Sequence, residues 1–424
     1  MKKKVYSKEN FHTTRSDGRY DRTLGFLYEQ FRRKKPKLSS DCLKSADEFP
    51  EWRRSVRKKL RELIGISENL HAEFAMLKEE KRDGYRIYHY EMYPEEYLAV
   101  PFLLLVPEKV IQTGGKVPAV ICNPGSGARL PSLAGEPDNG PNRYPLRNRQ
   151  AWWYVKAGMI ALAVENPATG LNSEPGIAYG EVQLRCLTLL LQLGRTYHGF
   201  ITEQRLMLLD FLKQHPLVDP ERLACSGLSL GCGGTLYTAV LSDDVKAVVY
   251  NDFVCRHVTR LLSTTEISTN PVMACSFIPG ANEWFDIQPD LMAALAPRPL
   301  LLAEGGSWKN CIEKVVHAYR MLGKENNLSV KYYPKFSDPA SRKFEDIDLL
   351  TCEGLTPQEF LERSNVDASQ HSFHPELAIP WLTRLFLGTE YNDSPLLAEI
   401  RRAKEEKERF FNADDEEIFP GRKS

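Results

Sequence analysis

Apolar positions along the chain follow two spacings, and their alternation predicts a series of strands and helices. Short apolar runs at 117–122, 159–164, 223–225, 245–250, 299–303 and 328–333 predict buried strands. Apolar residues at helical spacing predict helices at 152–156, 201–214, 289–294, 313–322 and 375–387. Strands that alternate with helices in this way favour a mainly parallel sheet with helices on both faces, which is an α/β fold.

The segments that flank this alternation predict further elements. A short helical patch is expected at 24–33, and residues 51–64 place Trp52, Val56 and Leu60 on one face of an amphipathic helix. Two segments between residues 84 and 106 predict a pair of antiparallel strands that lead into the sheet. The expected domains are a polar and helical N-terminal extension that packs on the core, the α/β domain, and a charged tail with a solvated helix; these span 1–83, 84–390 and 391–424.

Charge and hydropathy narrow the classes of partner. The 424 residues carry 56 basic and 56 acidic side chains, so no global field favours nucleic acid or an anionic membrane. The basic cluster at 32–37 is short and has no aromatic neighbours, which is typical of a solvated loop. No apolar run is long enough to span a bilayer. We therefore expect no nucleic-acid or membrane partner, whereas the sequence leaves a homo-oligomer open.

The cysteines indicate a reducing compartment. There are nine, an odd number, and they show neither Cys-x-x-Cys spacing nor the His/Cys spacing of a zinc site. The N-terminal lysines run into polar residues rather than into an apolar export region. These features predict free thiols and a cytoplasmic location, and nothing in the pattern requires a metal or an organic cofactor.

The motif that carries chemistry is Gly227-Leu228-Ser229-Leu230-Gly231, between a predicted strand and a helix start. A serine on such a tight strand-to-helix turn adopts a strained backbone that pushes its hydroxyl out of the sheet edge. Side chains at the flanking glycines would collide with neighbouring backbone, and this is the logic of the nucleophile elbow. A glycine-rich structural turn with a passive serine is the alternative. Cys232 is expected to pack the elbow helix rather than to act as a nucleophile.

A nucleophilic serine needs a basic histidine, itself oriented by a carboxylate. On this kind of fold the chain order is serine, acid, histidine, which limits the search to His257, His317, His371 and His374. His317 lies inside a predicted helix, and His257 comes too early in the chain. His374 directly precedes the last helix and suits a capping or surface role. His371, in the loop between the last strand and the last helix, is the predicted base.

Further segments connect the chain to a known group of enzymes. Together with the elbow they give a resemblance, over about residues 50–388, to the dienelactone-hydrolase-like and acetyl-xylan-esterase-like α/β-hydrolases, a bacterial esterase branch. They lie at 52–63, 100–107, 118–127, 218–222, 296–300 and 370–378. The resemblance implies the α/β-hydrolase fold and a serine esterase, with Ser229 as nucleophile and His371 as base.

The resemblance also implies an oxyanion hole. One donor would be the backbone N–H of Leu230, the residue after the nucleophile. The other would come from the loop after the strand at 117–122, where Ser126 is the expected donor. Pro124 replaces the histidine that family members carry in this loop, but the glycines that let the backbone turn its N–H groups inward are retained.

The acid departs from the family pattern. It is expected past the strand at 299–303, but the loop at 303–310 has no aspartate at the usual place. Glu304 at the strand end is one candidate, and a purely structural strand-end residue is its alternative role. Asp252, at the end of the preceding strand, is the second candidate, with a turn or cap role as its alternative.

These features together predict a serine hydrolase that cleaves carboxylic esters through an acyl-enzyme intermediate. The expected substrates are small-molecule or carbohydrate esters, including acetylated or uronate-containing sugars. A peptidase of the prolyl-oligopeptidase type is an alternative, disfavoured by the lack of a propeller-sized extension. A non-catalytic hydrolase-like binding protein is another, motivated by the irregular acid loop and the altered histidine position.

Overall fold

The computed structural model of the chain describes residues 14, 16, 23–137, 144–255, 276–304, 309–342, 357–367, 370–389 and 395–412. One sheet of nine strands organises these residues. The strands are β1 (Glu73–Arg82), β2 (Tyr85–Glu95), β3 (Leu98–Pro107), β4 (Val117–Asn123), β5 (Ile160–Val164), β6 (Val218–Leu228), β7 (Val245–Asn251), β8 (Leu300–Leu302) and β9 (Leu328–Val330).

The strands lie in the order β1-β2-β3-β5-β4-β6-β7-β8-β9. The first three pair antiparallel, and β3 also pairs antiparallel with β5, whereas every later pairing is parallel. Asn123 of β4 is level with Gly227 of β6, and Leu228 is level with Asn251 of β7. The carboxyl ends of the central strands therefore meet at one edge, the place where open α/β sheets hold their sites.

Helices connect and cover the strands. They are α1 (Thr23–Arg33), α2 (Phe49–Ile64), α3 (Glu108–Thr113), α4 (Leu130–Leu133), α5 (Gln150–Lys156), α6 (Tyr179–Gln192), α7 (Tyr197–Gln214), α8 (Gly231–Leu241), α9 (Ile287–Ala293), α10 (Lys309–Met321), α11 (Pro357–Arg363), α12 (Pro375–Leu387) and α13 (Pro395–Asn412). Among the described residues, no helix has both the length and the apolarity needed to cross a membrane.

The apolar core lies on both faces of the sheet. Along β4, Ala119 and Ile121 pack into one cluster, whereas Val120 and Cys122 pack into the other. The first cluster takes in α2 and α7, and the second takes in α5 and α12. Because side chains alternate across a strand, an apolar run that is buried on both faces requires this three-layer arrangement. The predicted α/β-hydrolase architecture is confirmed.

Five of the described elements were not predicted from the sequence, namely β1, α3, α4, α6 and α11, and the tail helix was predicted wrongly in part. The edge strand β1 carries mostly exposed, charged residues, and α6 turns Leu184 and Leu189 outward, so neither shows a clear apolar face. The tail helix α13 is not wholly solvated. Its Leu396 and Ile400 pack in the core, and Lys407 is buried with its Nζ 3.2 Å from Ser372 Oγ.

Candidate active site

The strand-to-helix turn at Ser229 has the geometry that the motif predicts. Strand β6 ends at Leu228 and α8 begins at Gly231, which leaves two residues for the reversal. Ser229 has φ 51°, in the left-handed region that is strained for a residue with a side chain. Its N–H donates to the Asn251 carbonyl at 3.1 Å, and its carbonyl accepts the Cys232 N–H at 2.8 Å. These bonds hold the half-buried serine in its strained conformation.

The two glycines of the motif are required by close approaches of the backbone. A Cβ at Gly227 would lie 2.4 Å from Thr235 Oγ1 and 2.8 Å from the carbonyl oxygen of Gly231. A Cβ at Gly231 would lie 2.3 Å from the carbonyl oxygen of Asn123. The helix start therefore packs directly on the end of β4, which brings the serine next to the loop that follows β4.

Glu304 and His371 form a hydrogen-bonded pair. The His371 Nδ1 lies 2.8 and 3.0 Å from the two carboxylate oxygens of Glu304, which is fully buried after β8. Burial alone would raise the pKa of Glu304. Attraction to His371 and the hydrogen bond from its ring more than offset this, with a smaller effect from His374, and hold the pKa below its ordinary value. Glu304 is therefore a buried carboxylate that favours Nδ1–H on His371.

Asn251 joins the elbow, the acid and the histidine loop, and the sequence did not point to it. Its carbonyl accepts the Ser229 N–H at 3.1 Å, and its Nδ2 donates to Glu304 Oε1 at 2.8 Å and to the Ser372 carbonyl at 3.0 Å. Its Oδ1 accepts the His374 N–H at 2.8 Å. The available signal was a polar side chain at the end of an otherwise apolar strand.

Asp252 lies in the same cluster as the hydrogen-bonded Glu304–His371 pair. Carboxylate and imidazole atoms of Asp252, Glu304 and His371 lie within 4.8 Å of one another. Asp252 Oδ1 accepts the N–H of Phe253 at 2.9 Å. These donor types could hold a divalent cation, but the hydrogen bond between Glu304 and His371 already occupies two of the groups. Residues 305–308 of the acid loop lie outside the described residues.

The other three histidines considered as the base lie in different surroundings. His317 is exposed on α10, as expected, and His257 lies outside the described residues. His374 holds the N-cap position of α12, as expected for a capping role, and its carbonyl accepts the N–H groups of Leu377 and Ala378. A surface role is wrong, because the side chain is buried and makes no capping hydrogen bond of its own. Its Nδ1 lies 2.9 Å from Glu376 Oε1 and its Nε2 lies 3.7 Å from Glu304 Oε1. It therefore packs behind the acid.

The loop after β4 is held by side chains from two other segments of the chain. The Gly125 N–H donates to Asn148 Oδ1 at 2.9 Å, and the Gly127 N–H donates to the Tyr179 hydroxyl at 3.0 Å. These two N–H groups are thus occupied. The Leu230 N–H, in contrast, has no acceptor among the residues that the structure describes. Leu230 and the largely buried Ser126 stay the predicted oxyanion donors.

A small pocket of about 40 Å³ opens at the nucleophile candidate. It is lined by Ser229 and Asp252 together with His198, Gly233 and Tyr237. Burial lowers the pKa of His198 to about 4, so this imidazole is neutral at neutral pH. Within the described part of the chain the Ser229 hydroxyl has no hydrogen-bond partner, and bonds of catalytic groups often form only when substrate binds.

The cysteine in the elbow helix has the surroundings of a packing residue. Cys232 is buried, and burial raises the pKa of its thiol well above the ordinary value. A protonated, buried thiol is a poor nucleophile. Seven cysteines lie among the described residues and all of them are free thiols.

Comparison with known proteins gives relatives of the same fold. A solved structure from Bacteroides fragilis NCTC 9343, provisionally named an acetyl xylan esterase, superposes with a TM-score of 0.76 at 32% identity, covering 88% of this chain and 97% of that one. A methylesterase, BT1017, superposes with a TM-score of 0.50 at 17% identity, covering 85% of this chain and 78% of its own, and is alike in fold. No curated protein sequence matches the chain.

The family assignment rests on nearly the whole length of the chain. A model of the abhydrolase family matches residues 4–384, which include the elbow, both acid candidates and His371. The Bacteroides fragilis protein is 32% identical to this chain over most of the length of both chains. On the evidence of the nine-stranded sheet, the strained serine and these matches, the chain belongs to the abhydrolase family of α/β-hydrolases.

Proposed function

We propose that the chain is a serine esterase that hydrolyses carboxylic esters through an acyl-enzyme intermediate. The observation that carries the proposal is the buried Glu304–His371 pair, with Nδ1 to oxygen distances of 2.8 and 3.0 Å, tied through Asn251 to the strained Ser229. A strained serine, a histidine and a buried carboxylate in this chain order are the parts that acyl transfer requires.

Each group has a defined role in the proposed reaction. Glu304 accepts the Nδ1 proton of His371 in a hydrogen bond, which leaves the Nε2 lone pair free to accept a proton. As Ser229 Oγ forms a bond to the ester carbonyl carbon, its proton passes to Nε2. The N–H groups of Leu230 and Ser126 stabilise the negative charge on the carbonyl oxygen. When the carbon–oxygen bond to the alcohol breaks, His371 returns the proton to the leaving alcohol.

Water then releases the acyl group by the same steps. His371 takes a proton from water, the resulting oxygen nucleophile attacks the acyl carbon, and the second tetrahedral intermediate collapses. Ser229 Oγ leaves with the proton held by His371, and the products are the free acid and the regenerated serine. Asp252 is not needed for these steps, and we assign the acid role to Glu304.

For the substrate, an acetylated carbohydrate is the hypothesis that has most support. The solved relative at 32% identity is provisionally named for acetyl xylan. The pocket of about 40 Å³ beside Ser229 exceeds the roughly 10–15 Å³ that holds one water, so it suits a small acyl group such as acetyl. The neutral His198 at its wall adds no charge that would attract an ionic acyl group.

The test uses two substrates and two serine variants. Purified protein should hydrolyse p-nitrophenyl acetate and release acetate from acetylated xylo-oligosaccharide. Ser229→Ala should abolish both activities, while Ser337→Ala, at an exposed serine that does not line the pocket, should leave them unchanged. Hydrolysis of the first substrate without the second would support the esterase and reject the carbohydrate. Wild-type protein without either activity would favour the non-catalytic alternative.

A further inference from the structure

Arg205 of α7 is a completely buried cation that the proposed mechanism has not used. It is among the largest side chains with less than 2% exposure. Its Nε donates to Asn123 Oδ1 at 2.8 Å, its Nη2 to the Glu165 carbonyl at 2.8 Å, and its Nη1 to Gln204 Oε1 at 3.2 Å. All three acceptors are neutral.

The nearby carboxylate of Glu165 is engaged elsewhere. Its two oxygens accept the N–H groups of Leu130 and Leu171, each at 2.8 Å. Burial lowers the pKa of Arg205 to about 10, which still leaves the guanidinium protonated at neutral pH. The chain therefore maintains a positive charge in its interior whose hydrogen bonds, within the described residues, reach no carboxylate.

The position of this charge relates it to the reaction. Asn123, which accepts from Arg205, is the last residue of β4 and opens the loop that leads to Ser126. Its Nδ2 donates to Thr235 Oγ1 of α8 at 2.9 Å, and its carbonyl oxygen packs on Gly231. Arg205 thus lies directly behind both segments that would supply the oxyanion donors.

A purely structural account leaves the charge unexplained. Burying an ion without an opposite charge is unfavourable, and a neutral side chain of similar size fills the same space at lower cost. The proposed reaction, however, creates a negative charge on the carbonyl oxygen at this edge of the sheet. A positive charge behind a water-poor site acts at a lower effective dielectric than in bulk water, so it favours that oxyanion.

We infer that Arg205 is an electrostatic positioning residue for ester hydrolysis, acting on the oxyanion through its buried charge and through Asn123. The inference rests on the proposed serine esterase function and deepens it. Arg205 does not touch substrate: it orients the Asn123 side chain, and its positive potential selects for the transition state over the neutral ester.

The experiment separates charge from packing with three variants. Arg205→Met removes the positive charge, whereas Arg205→Lys keeps the charge but loses the planar guanidinium group and its fixed N–H donors. Asn123→Asp keeps Arg205 and places a negative charge next to it. We expect kcat on p-nitrophenyl acetate to fall about tenfold in Arg205→Met and Asn123→Asp, less than the loss of a direct oxyanion donor. Arg205→Lys should stay within about threefold, and KM should change little in all three.

Arg298 offers a matched control. It is half-buried, and its Nη1 and Nη2 atoms donate to the carbonyls of Ser242, Val245 and Ala239 at 2.6 to 2.9 Å. These carbonyls lie at the end of α8 and the start of β7, away from the carboxyl ends of the strands. Arg298→Met should lower the melting temperature without lowering kcat. Inhibition by phenylboronic acid, which forms an anionic tetrahedral adduct on a serine, should weaken in Arg205→Met by the same factor as kcat/KM.

The outcomes distinguish the inference from the function on which it rests. Active wild-type protein with an Arg205→Met variant of unchanged kcat overturns the inference and leaves the esterase intact. Equal losses in Arg205→Met and Arg205→Lys also overturn it, because geometry rather than charge would then matter. If Arg205→Met does not fold, Asn123→Asp decides, and an unchanged kcat there overturns the inference. Inactive wild-type protein overturns both proposals.

Discussion

The substitution Glu304→Gln tests the acid assignment, because the carboxylate meets two donors at once. The Nδ1 of His371 and the Nδ2 of Asn251 both lie within 3.0 Å of Glu304 oxygens. A glutamine of the same size has one acceptor oxygen, so its NH2 group must face one of these two nitrogens. If it faces His371, the ring takes the tautomer with the proton on Nε2 and loses its capacity to act as base.

The expected cost follows from this tautomer change. The equivalent change of carboxylate to amide in a serine protease triad lowers kcat about 10⁴-fold, and we expect a loss of about 10³- to 10⁴-fold here. Solvent cannot take over the role of the carboxylate in the variant, because the Glu304 side chain is 0% exposed. KM should change little, since Glu304 touches the histidine and not the ester.

The assay compares two isosteric variants. Initial rates with p-nitrophenyl acetate give kcat and KM for Glu304→Gln and Asp252→Asn, and thermal melts confirm that both are folded. In Asp252→Asn, kcat should fall less than about tenfold, because the proposed proton transfers do not use the Asp252 carboxylate. The assignment is refuted if Asp252→Asn is the more damaging change, or if Glu304→Gln keeps more than a tenth of the wild-type kcat.

Three further predictions concern packing, pH and the elbow thiol. Gly231→Ala should lower the free energy of unfolding by about 3 kcal/mol in denaturant titrations, because the added Cβ would lie 2.3 Å from a backbone oxygen. The control Gly115→Ala, whose Cβ would have no contact closer than 3.6 Å, should leave the free energy of unfolding nearly unchanged. Burial raises the pKa of Glu376, but His374 outweighs it and brings the pKa to about 2, below the ordinary 4.5. The contribution of Glu376 to the free energy of unfolding is therefore complete above about pH 4.5 and is lost as the pH falls toward 2. Glu376→Gln should flatten this part of the stability profile. An unchanged profile would contradict the Glu376–His374 pairing. Cys232→Ala should retain esterase activity and serine labelling, and loss of both in a folded variant would contradict its packing role.

The fold could be predicted from the sequence where burial leaves a local pattern. Strands β4 to β8 are apolar on both faces, so their runs are visible without knowledge of their neighbours. The edge strand β1 is mostly exposed and charged, and its pairing with β2 depends on register rather than on apolar residues. The buried side of α13 was hidden because its charged residues outnumber the few positions that reach the core.

The site was predictable in part for the same reason. Ser229 and His371 follow from a local motif and from chain order. The sequence could not decide between Asp252 and Glu304 as the acid. Tyr250 and Leu302 are level in adjacent strands, and each candidate comes two residues later at the same edge of the sheet. Only side-chain placement decides which carboxylate meets His371. Asn251 and Arg205 act through partners distant in sequence, so no local pattern marks them.

The measurement that tests the central claim most directly is labelling of the folded wild-type protein with a fluorophosphonate, followed by mass spectrometry of its peptides. Such a probe reacts with a serine only when a base activates it. The account predicts a single adduct on Ser229, absent from Ser229→Ala and strongly reduced in His371→Ala. Folded, fresh protein that takes up no label, or label that persists in Ser229→Ala, would contradict the account.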